Sequence, residues 1–412
     1  MVRRAIARAA RIAFCIWIAS AVPGQAQDIA GIWDGIARGT RVEVRFDSSG
    51  AGFTGRLYAR SFSEDTLPLD SVRFAQGVVS LQLTLQSATA TFEGVLSREG
   101  RRLDGAILSN GDTLGLFRFA RRGTEDARRL LAQLERTRPG KRITRPDPDS
   151  ARLVTEDIPR FWAVLDSATA DSLEDRLLRE YLIPGTPGLR DFMQARIMSA
   201  ADLARMVQRR RARYDSVRAA TLRVTEASGR IRADYRKLKA LYPDAVYPDV
   251  YFVIGRLNTG GTATDNGLLI GAEMYRDPAQ LPVIVAHELV HFQQQPLVVP
   301  PSLLTQSFRE GAADFVAELI AGEHINQRAH RYGIPHEREL WAEFRTRMHG
   351  TSTSGWLYGD PPGERPPDLG YFIGHRIAKA FYERAQDKGA ALREIIRAEN
   401  PVAILERSAY DP

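Results

Sequence analysis

The sequence has a single cysteine, Cys15, in 412 residues. That scarcity excludes an intrachain disulfide framework, a cysteine zinc ribbon and an iron–sulfur cluster. The chain also lacks a charge of one sign once its start is set aside. It carries 57 Lys and Arg against 50 Asp and Glu, and four of the bases (Arg3, Arg4, Arg8 and Arg11) fall in the first 27 residues with no acid among them. The remainder therefore sits near +3, an ordinary surface rather than a polyanion-binding one, so nucleic acid is not an expected partner. Gly260-Gly261 is not followed by the Lys-Ser/Thr of a phosphate loop, and the pair reads as a hairpin turn. Hydrophobic residues at 44% and charged residues at 26% exclude wholesale disorder, collagen and a coiled-coil rod. The length predicts two or three domains.

What is present begins with an export pattern. Met1–Arg11 is basic, Ile12–Ala21 is apolar, and Gly24-Gln25-Ala26-Gln27 offers a cleavage zone. The apolar run is shorter than the roughly 20 residues of a membrane span, and no later stretch is apolar enough to cross a membrane. Residues 1–27 are therefore expected to be a signal peptide. The expected location is periplasmic or secreted, without stable membrane insertion after signal removal. A chain free of Cys15 suits an oxidising compartment.

Residues 28–122 alternate as strands do. Val79, Leu81, Leu83 and Leu85 point one way and Ser80, Gln82 and Thr84 the other. A pattern recurs in Phe53-Thr-Gly55-Arg-Leu57, Phe92-Glu-Gly94-Val-Leu96 and Leu103-Asp-Gly105-Ala-Ile107, with Trp33-Asp-Gly35 a degenerate copy. Glycine inside strands marks bends or close backbone approach. The expectation is a small antiparallel meander of seven or eight strands, closed or nearly so, serving as a docking module for a partner or, less readily, as a ligand pocket. Residues 123–150 read as a charged helix and a basic, proline-rich linker.

From residue 151 to 412 the period becomes helical. Leu203, Met206, Val207, Tyr214, Val217 and Leu222 share one face. Tyr247–Gly255 and Gly267–Glu273 are strand-like. The predicted fold class is α+β and multidomain: a barrel-like antiparallel domain, then a mostly helical domain with a short sheet.

The chemistry lies in His287-Glu288-Leu289-Val290-His291, inside a helix-length run bounded by Pro282 and Pro296. Residues four apart share a helix face, so both imidazoles can meet one metal ion while Glu288 reaches its water. The apolar neighbours Val283, Ile284, Val285, Leu289 and Val290 bury these polar groups, and a metal compensates for that burial. A third histidine in the extended H-E-x-x-H-x-x-G-x-x-H pattern is absent, since Gln294 and Leu297 stand at its positions. Glu310 is the better third ligand. It follows His291 with 18 residues between, and Asp314 lies one turn beyond it, able to accept the N–H of a metal-bound imidazole. Glu318, Glu323 and His324 are alternative ligands. His330, His336 and His349, like His324, lie in polar stretches and are expected at the surface. Residues 349–368 form a long irregular loop expected to border the cleft.

His287-Glu-x-x-His291 followed by Glu310-x-x-x-Asp314 resembles the gluzincin metallopeptidases. The wider set of Tyr251-Phe-Val-Ile-Gly255, the Gly-Gly turn, Ala286–Gln294 and Glu310-Gly-Ala-Ala-Asp314 is similar to a poorly characterised bacterial branch of predicted zinc-dependent proteases, over roughly residues 150–412. The resemblance implies a zincin-like domain, a strand beside the cleft and Zn2+ as the cofactor. It also implies a Tyr or His from a downstream helix near the metal, for which Tyr371 and His375 are the candidates. The expected activity is hydrolysis of a peptide or protein substrate with Glu288 as general base. The alternatives are a zinc hydrolase acting on a non-peptide amide or ester, and a catalytically silent zinc-stabilised binding protein.

Overall fold

The structure, a computed structural model, describes residues 28–37, 40–50, 52–58, 66–85, 88–109, 112–136, 145–358 and 365–412. The expected signal peptide, residues 1–27, lies outside the described residues, as do linker residues 137–144 and loop residues 359–364. No described helix is long and apolar enough to cross a membrane.

The first region is an antiparallel barrel. In chain order its strands are β1 (Gly31–Ala37), β2 (Thr40–Ser49), β3 (Gly52–Tyr58), β4 (Leu67–Pro68), β5 (Ser71–Ala75), β6 (Val78–Leu85), β7 (Ala88–Leu96), β8 (Arg102–Ser109) and β9 (Asp112–Arg121). The pairing β2-β1-β9-β8-β7-β6-β5-β3 returns to β2, so among the described residues eight strands close and the two-residue β4 rides on β3. The inward residues Val79, Leu81 and Leu83 are buried as their alternation requires. Trp33, Phe46, Phe92, Phe117 and Phe119 fill the interior. The recurring glycines make room for these rings. A Cβ on Gly35 would stand 2.0 Å from Phe119, and one on Gly105 would stand 2.5 Å from Phe117. The lumen is thus a packed core. The string Gly50-Ala51-Gly52-Phe53-Thr54-Gly55 has the form of a dinucleotide fingerprint, but Gly52–Gly55 lie in β3, paired antiparallel with β2, and open no helix.

The outer face of β8 and β9 meets the second region. Ala106 and Leu116 join the helical core, and Asp104 takes Arg118 together with Arg190, the latter at 3.7 Å. The charged helix Glu125–Arg136 folds back on the barrel, laying Ala127 and Leu130 against Ala120 and Ile36. At the far end of the linker, Arg145 and Arg152 each reach Asp249 at 2.8 Å.

The second region is mostly helical around a small mixed sheet. The strands are β10 (Leu153–Val154), β11 (Val250–Val253), β12 (Gly261–Thr264) and β13 (Gly267–Gly271), in the order β10-β11-β13-β12. β10, β11 and β13 are parallel, and β12 runs antiparallel on the edge. This corrects the hairpin expected at Gly260-Gly261. The turn lies one strand later, at Asp265-Asn266, where Thr264 pairs with Gly267, a two-residue connection between antiparallel strands. The apolar helical face breaks at Arg210 into Ala200–Arg209 and Arg211–Thr221. Leu222 falls beyond the second helix and is 48% exposed.

Three helices frame the site. The His287 helix, Leu281–Gln293, starts with Pro282 in its first turn and is buried nearly all round. The Glu310 helix, Leu303–Ala321, starts at a Ser302–Thr305 capping box and stops at the left-handed Gly322. The Tyr371 helix, Leu369–Arg384, crosses it in backbone contact. A Cβ on Gly311 would lie 2.1 Å from the His375 nitrogen, and one on Gly374 would lie 1.9 Å from the Ser307 carbonyl. No side chain fits there without parting the helices. Gly374→Ala should therefore cost about 1–3 kcal/mol of stability in a urea melt, the usual range for overpacking, and weaken metal binding by moving Tyr371 and Glu310 apart. An unchanged melt would show that the crossing is not close.

Candidate metal centre

His287 and His291 leave one face of their helix, four residues apart, and Glu310 reaches them from the next helix. His287 Nε2 and His291 Nε2 are 3.0 Å apart, Glu310 Oε2 is 3.1 Å from His291 Nε2, and it is 3.5 Å from His287 Nε2. The other ring nitrogens are committed. His287 Nδ1 donates to Asp314 Oδ1 at 2.9 Å, and His291 Nδ1 donates to Gln294 Oε1 at 3.1 Å. With acceptors on both Nδ1 atoms, the protons belong there and the Nε2 lone pairs face each other. Two lone pairs and a carboxylate oxygen converging at this spacing repel unless a cation joins them. Tetrahedral zinc, with bonds of about 2.0–2.1 Å, separates neighbouring ligands by about 3.3 Å. The triangle of sides 3.0, 3.1 and 3.5 Å fits that requirement.

The electrostatics agree. Burial disfavours the charged form of His287, but the hydrogen bonds to Asp314 and Glu310 outweigh it and push its pKa up. His291 is pushed up likewise, with burial outweighed by Glu310. Glu310 resists burial through His291 and His287 and falls well below the usual carboxylate range. The centre favours positive charge, and a proton supplies it when a metal does not. Asp314 is fully buried, and its second oxygen accepts from Asn326 Nδ2 at 2.8 Å. Gln294, in the position that denies the chain a third motif histidine, orients His291 and donates to the Arg309 carbonyl at 2.8 Å.

The centre opens into a cavity of about 700 Å3. Glu288 lines it beside the two histidines, and burial pushes its carboxyl pKa up. Its neighbour across the cavity is the edge strand. A Cβ on Gly261 would lie 2.6 Å from Glu288 Oε1, and one on Gly260 would lie 2.5 Å from the Tyr275 hydroxyl. The Gly-Gly pair therefore exists for close approach to the site and not for a turn. Behind the strand, Glu273 is fully buried and accepts from the Leu257 N–H at 3.3 Å. Burial pushes its pKa up to about 7.

Tyr371 lines the cavity with its ring stacked on His287 at 6.1 Å. Burial, and then Glu310, hold its hydroxyl well above the usual phenol range, so it stays a donor. Tyr358, in the loop expected to border the cleft, donates to Glu310 Oε1 at 2.9 Å. Its backbone is left-handed at φ 61°, as is that of Asp368 at φ 63°, and the Asp368 carboxylate accepts the Tyr358 N–H at 3.0 Å. Both residues line the cavity, where strained backbone commonly concentrates. Arg196 lines the opposite wall and reaches Thr262 Oγ1 at 3.4 Å. Sequence reasoning missed Tyr358, Arg196 and the role of Gln294. Only Gln294 had a local signal, three residues after His291.

His375 departs from expectation. It sits one turn beyond Tyr371 along the helix, where it meets Glu318, whose Oε2 lies 2.6 Å from His375 Nε2. It does not line the cavity. Nor is His330 a surface residue: it is 9% exposed and packs edge-on to Phe372 and His375. His324 is half-buried, and its ring centroid lies 3.9 Å from that of His330. His349 is exposed as expected, and His336 is half-buried with Nδ1 on the Tyr332 carbonyl at 2.8 Å. Of the alternative third ligands, only Glu310 converges with both His287 and His291 among the described residues.

Residues 255–399 match the family described as predicted Zn-dependent protease (DUF2268). The matched segment holds His287, Glu288, His291, Glu310, Asp314 and Tyr371, and it is shorter than the 150–412 span of the expected resemblance. None of the curated proteins and none of the solved structures matches the chain. At the level of that family description, the chain is similar to a zinc-dependent hydrolase.

The raised histidine pKa values give a signed prediction. Below those values a metal must displace a proton from the rings, so affinity falls as pH falls. Zinc binding at pH 7 should release protons, and the apparent affinity should rise with pH, by about tenfold per pH unit for each proton displaced. Calorimetry in buffers of different ionisation enthalpy measures both. Binding that takes up protons would contradict the arrangement.

Proposed function

We propose that this protein is an exported zinc metallopeptidase that hydrolyses peptide bonds, with His287, His291 and Glu310 holding the metal. The observation that carries the reading is the triangle of donor atoms with Glu288 beside it in an open cavity. Zinc held there supplies Lewis acidity to a water and to the scissile carbonyl. Glu288 is no ligand in this arrangement, which frees it for proton transfer. It takes a proton from the attacking water and passes it to the leaving amine, so the C–N bond breaks and a carboxylate and an amine leave. Its burial raises its pKa above the usual carboxylate range, which makes it a stronger base.

Tyr371, held protonated, is the donor for the developing oxyanion. Tyr358 holds Glu310 from the other side. Asp314 and Gln294 keep His287 and His291 in the tautomer that turns Nε2 to the metal. β12 is the outermost strand of its sheet and borders the cavity. An extended peptide laid along it gains main-chain hydrogen bonds, which suits a peptide or protein substrate. The basic and apolar start of the chain supports export to the periplasm or beyond.

Glu288→Gln tests the reading. The variant should keep one zinc at this centre while kcat/KM on a peptide library falls by about 10²- to 10⁴-fold, the usual share of a general base. Undiminished peptide cleavage would contradict the assignment. A wild-type protein that holds zinc but cleaves only non-peptide amides or esters would contradict the substrate class alone.

A further inference from the structure

A second group of metal-ligating side chains lies behind the first. Asp314, His324 and His330 bring their ligand atoms within 4.8 Å of one another. They come from three places: Asp314 from the Glu310 helix, His324 from the segment after it, and His330 from the helix Gln327–Gly333. His375 closes the cluster, its ring centroid 4.6 Å from that of His330 and 5.5 Å from that of His324.

Packing alone does not account for this group. His324 Nδ1, His330 Nε2 and His375 Nδ1 are buried atoms with no hydrogen-bond partner among the described residues. Buried polar atoms are nearly always paired, so three orphaned ring nitrogens in one cluster mark something to be bound. Burial first, and then the His375 and His324 rings, hold His330 down to about 2, and burial holds His324 below its usual value against the pull of Asp314. A neutral imidazole is the form that ligates a metal. Asp314 supplies the negative charge. Its Oδ2 accepts from Asn326, and a carboxylate oxygen has a second lone pair for a cation.

We propose that Asp314, His324 and His330 form a second binding site for a divalent transition-metal cation, sharing Asp314 with the first centre. Two imidazoles and one carboxylate suit zinc, and also cobalt or nickel, more than calcium or magnesium. A cation there pins the segment from Gly322 to Gly333 onto the Glu310 helix. That segment includes Ile325, which lines the cavity. The same cation draws charge from Asp314, so it makes Asp314 a weaker acceptor for His287. Occupancy of the two sites is thus coupled, and the coupling is reciprocal. The site stands on its own atoms and does not depend on the peptidase reading.

Equilibrium dialysis of the full protein against Zn2+, with metal content measured per chain, tests the proposal. Wild type should bind two equivalents. His324→Gln, a change at a half-buried position, should bind one with the first centre intact. His291→Ala should also bind one, now at the second site. Replacing zinc with Co2+ gives a second readout: the visible bands of His291→Ala should disappear in the double variant His291→Ala/His324→Gln. A single equivalent in wild type that folded His324→Gln retains, or two equivalents retained by folded His324→Gln, would overturn the proposal; a single equivalent that His324→Gln loses would support the second site and contradict only the first. Far-UV circular dichroism establishes that each variant is folded, and His330→Gln replaces His324→Gln if the latter is not.

Discussion

Two imidazole nitrogens 3.0 Å apart, with a carboxylate oxygen beside them, cannot rest inside a protein without a positive charge in their midst. Most of the helical region serves to impose that arrangement. The His287 helix is apolar almost all round because it is buried, so its two histidines and Glu288 have few ways to reach water. Asp314 and Gln294 remove the freedom of the rings to turn. Two facing glycine contacts, at Gly311 and Gly374, let the Glu310 and Tyr371 helices touch backbone to backbone and set Glu310 and Tyr371 beside the same centre.

The walls of the cavity obey the same economy of space. Gly260 and Gly261 leave room for Tyr275 and Glu288, which places an edge strand directly beside the Glu288 carboxylate. On the far side, a pair of left-handed residues, Tyr358 and Asp368, holds a phenol against Glu310. The barrel stands apart from this chemistry. Its lumen is closed by its own aromatic residues, and it touches the helical region through Ala106, Leu116 and the Asp104–Arg190 contact.

Features set by local spacing were legible in the sequence. Helical period puts His287 and His291 on one face, Asp314 one turn from Glu310, and the inward residues of β6 on one side of a strand. Features set by packing across the chain were not. His375 and Tyr371 are four residues apart, and only the crossing with the Glu310 helix decides that one faces His287 and the other Glu318. Tyr358 meets Glu310, 48 residues away. His324 and His330 sit in polar stretches and looked solvated, yet Phe372 and His375 cover His330 from a later helix. The Gly-Gly pair was misread because a turn and a close approach leave the same mark in sequence. The parallel pairing of β11 with β13 is what separates them.

Anomalous diffraction at the zinc edge, on crystals of the protein grown with zinc, addresses the central claim most directly. The account predicts a peak about 2.0–2.2 Å from His287 Nε2, His291 Nε2 and a Glu310 carboxylate oxygen. A zinc-replete crystal with no peak among those three atoms, or with the side chains turned apart, would contradict it.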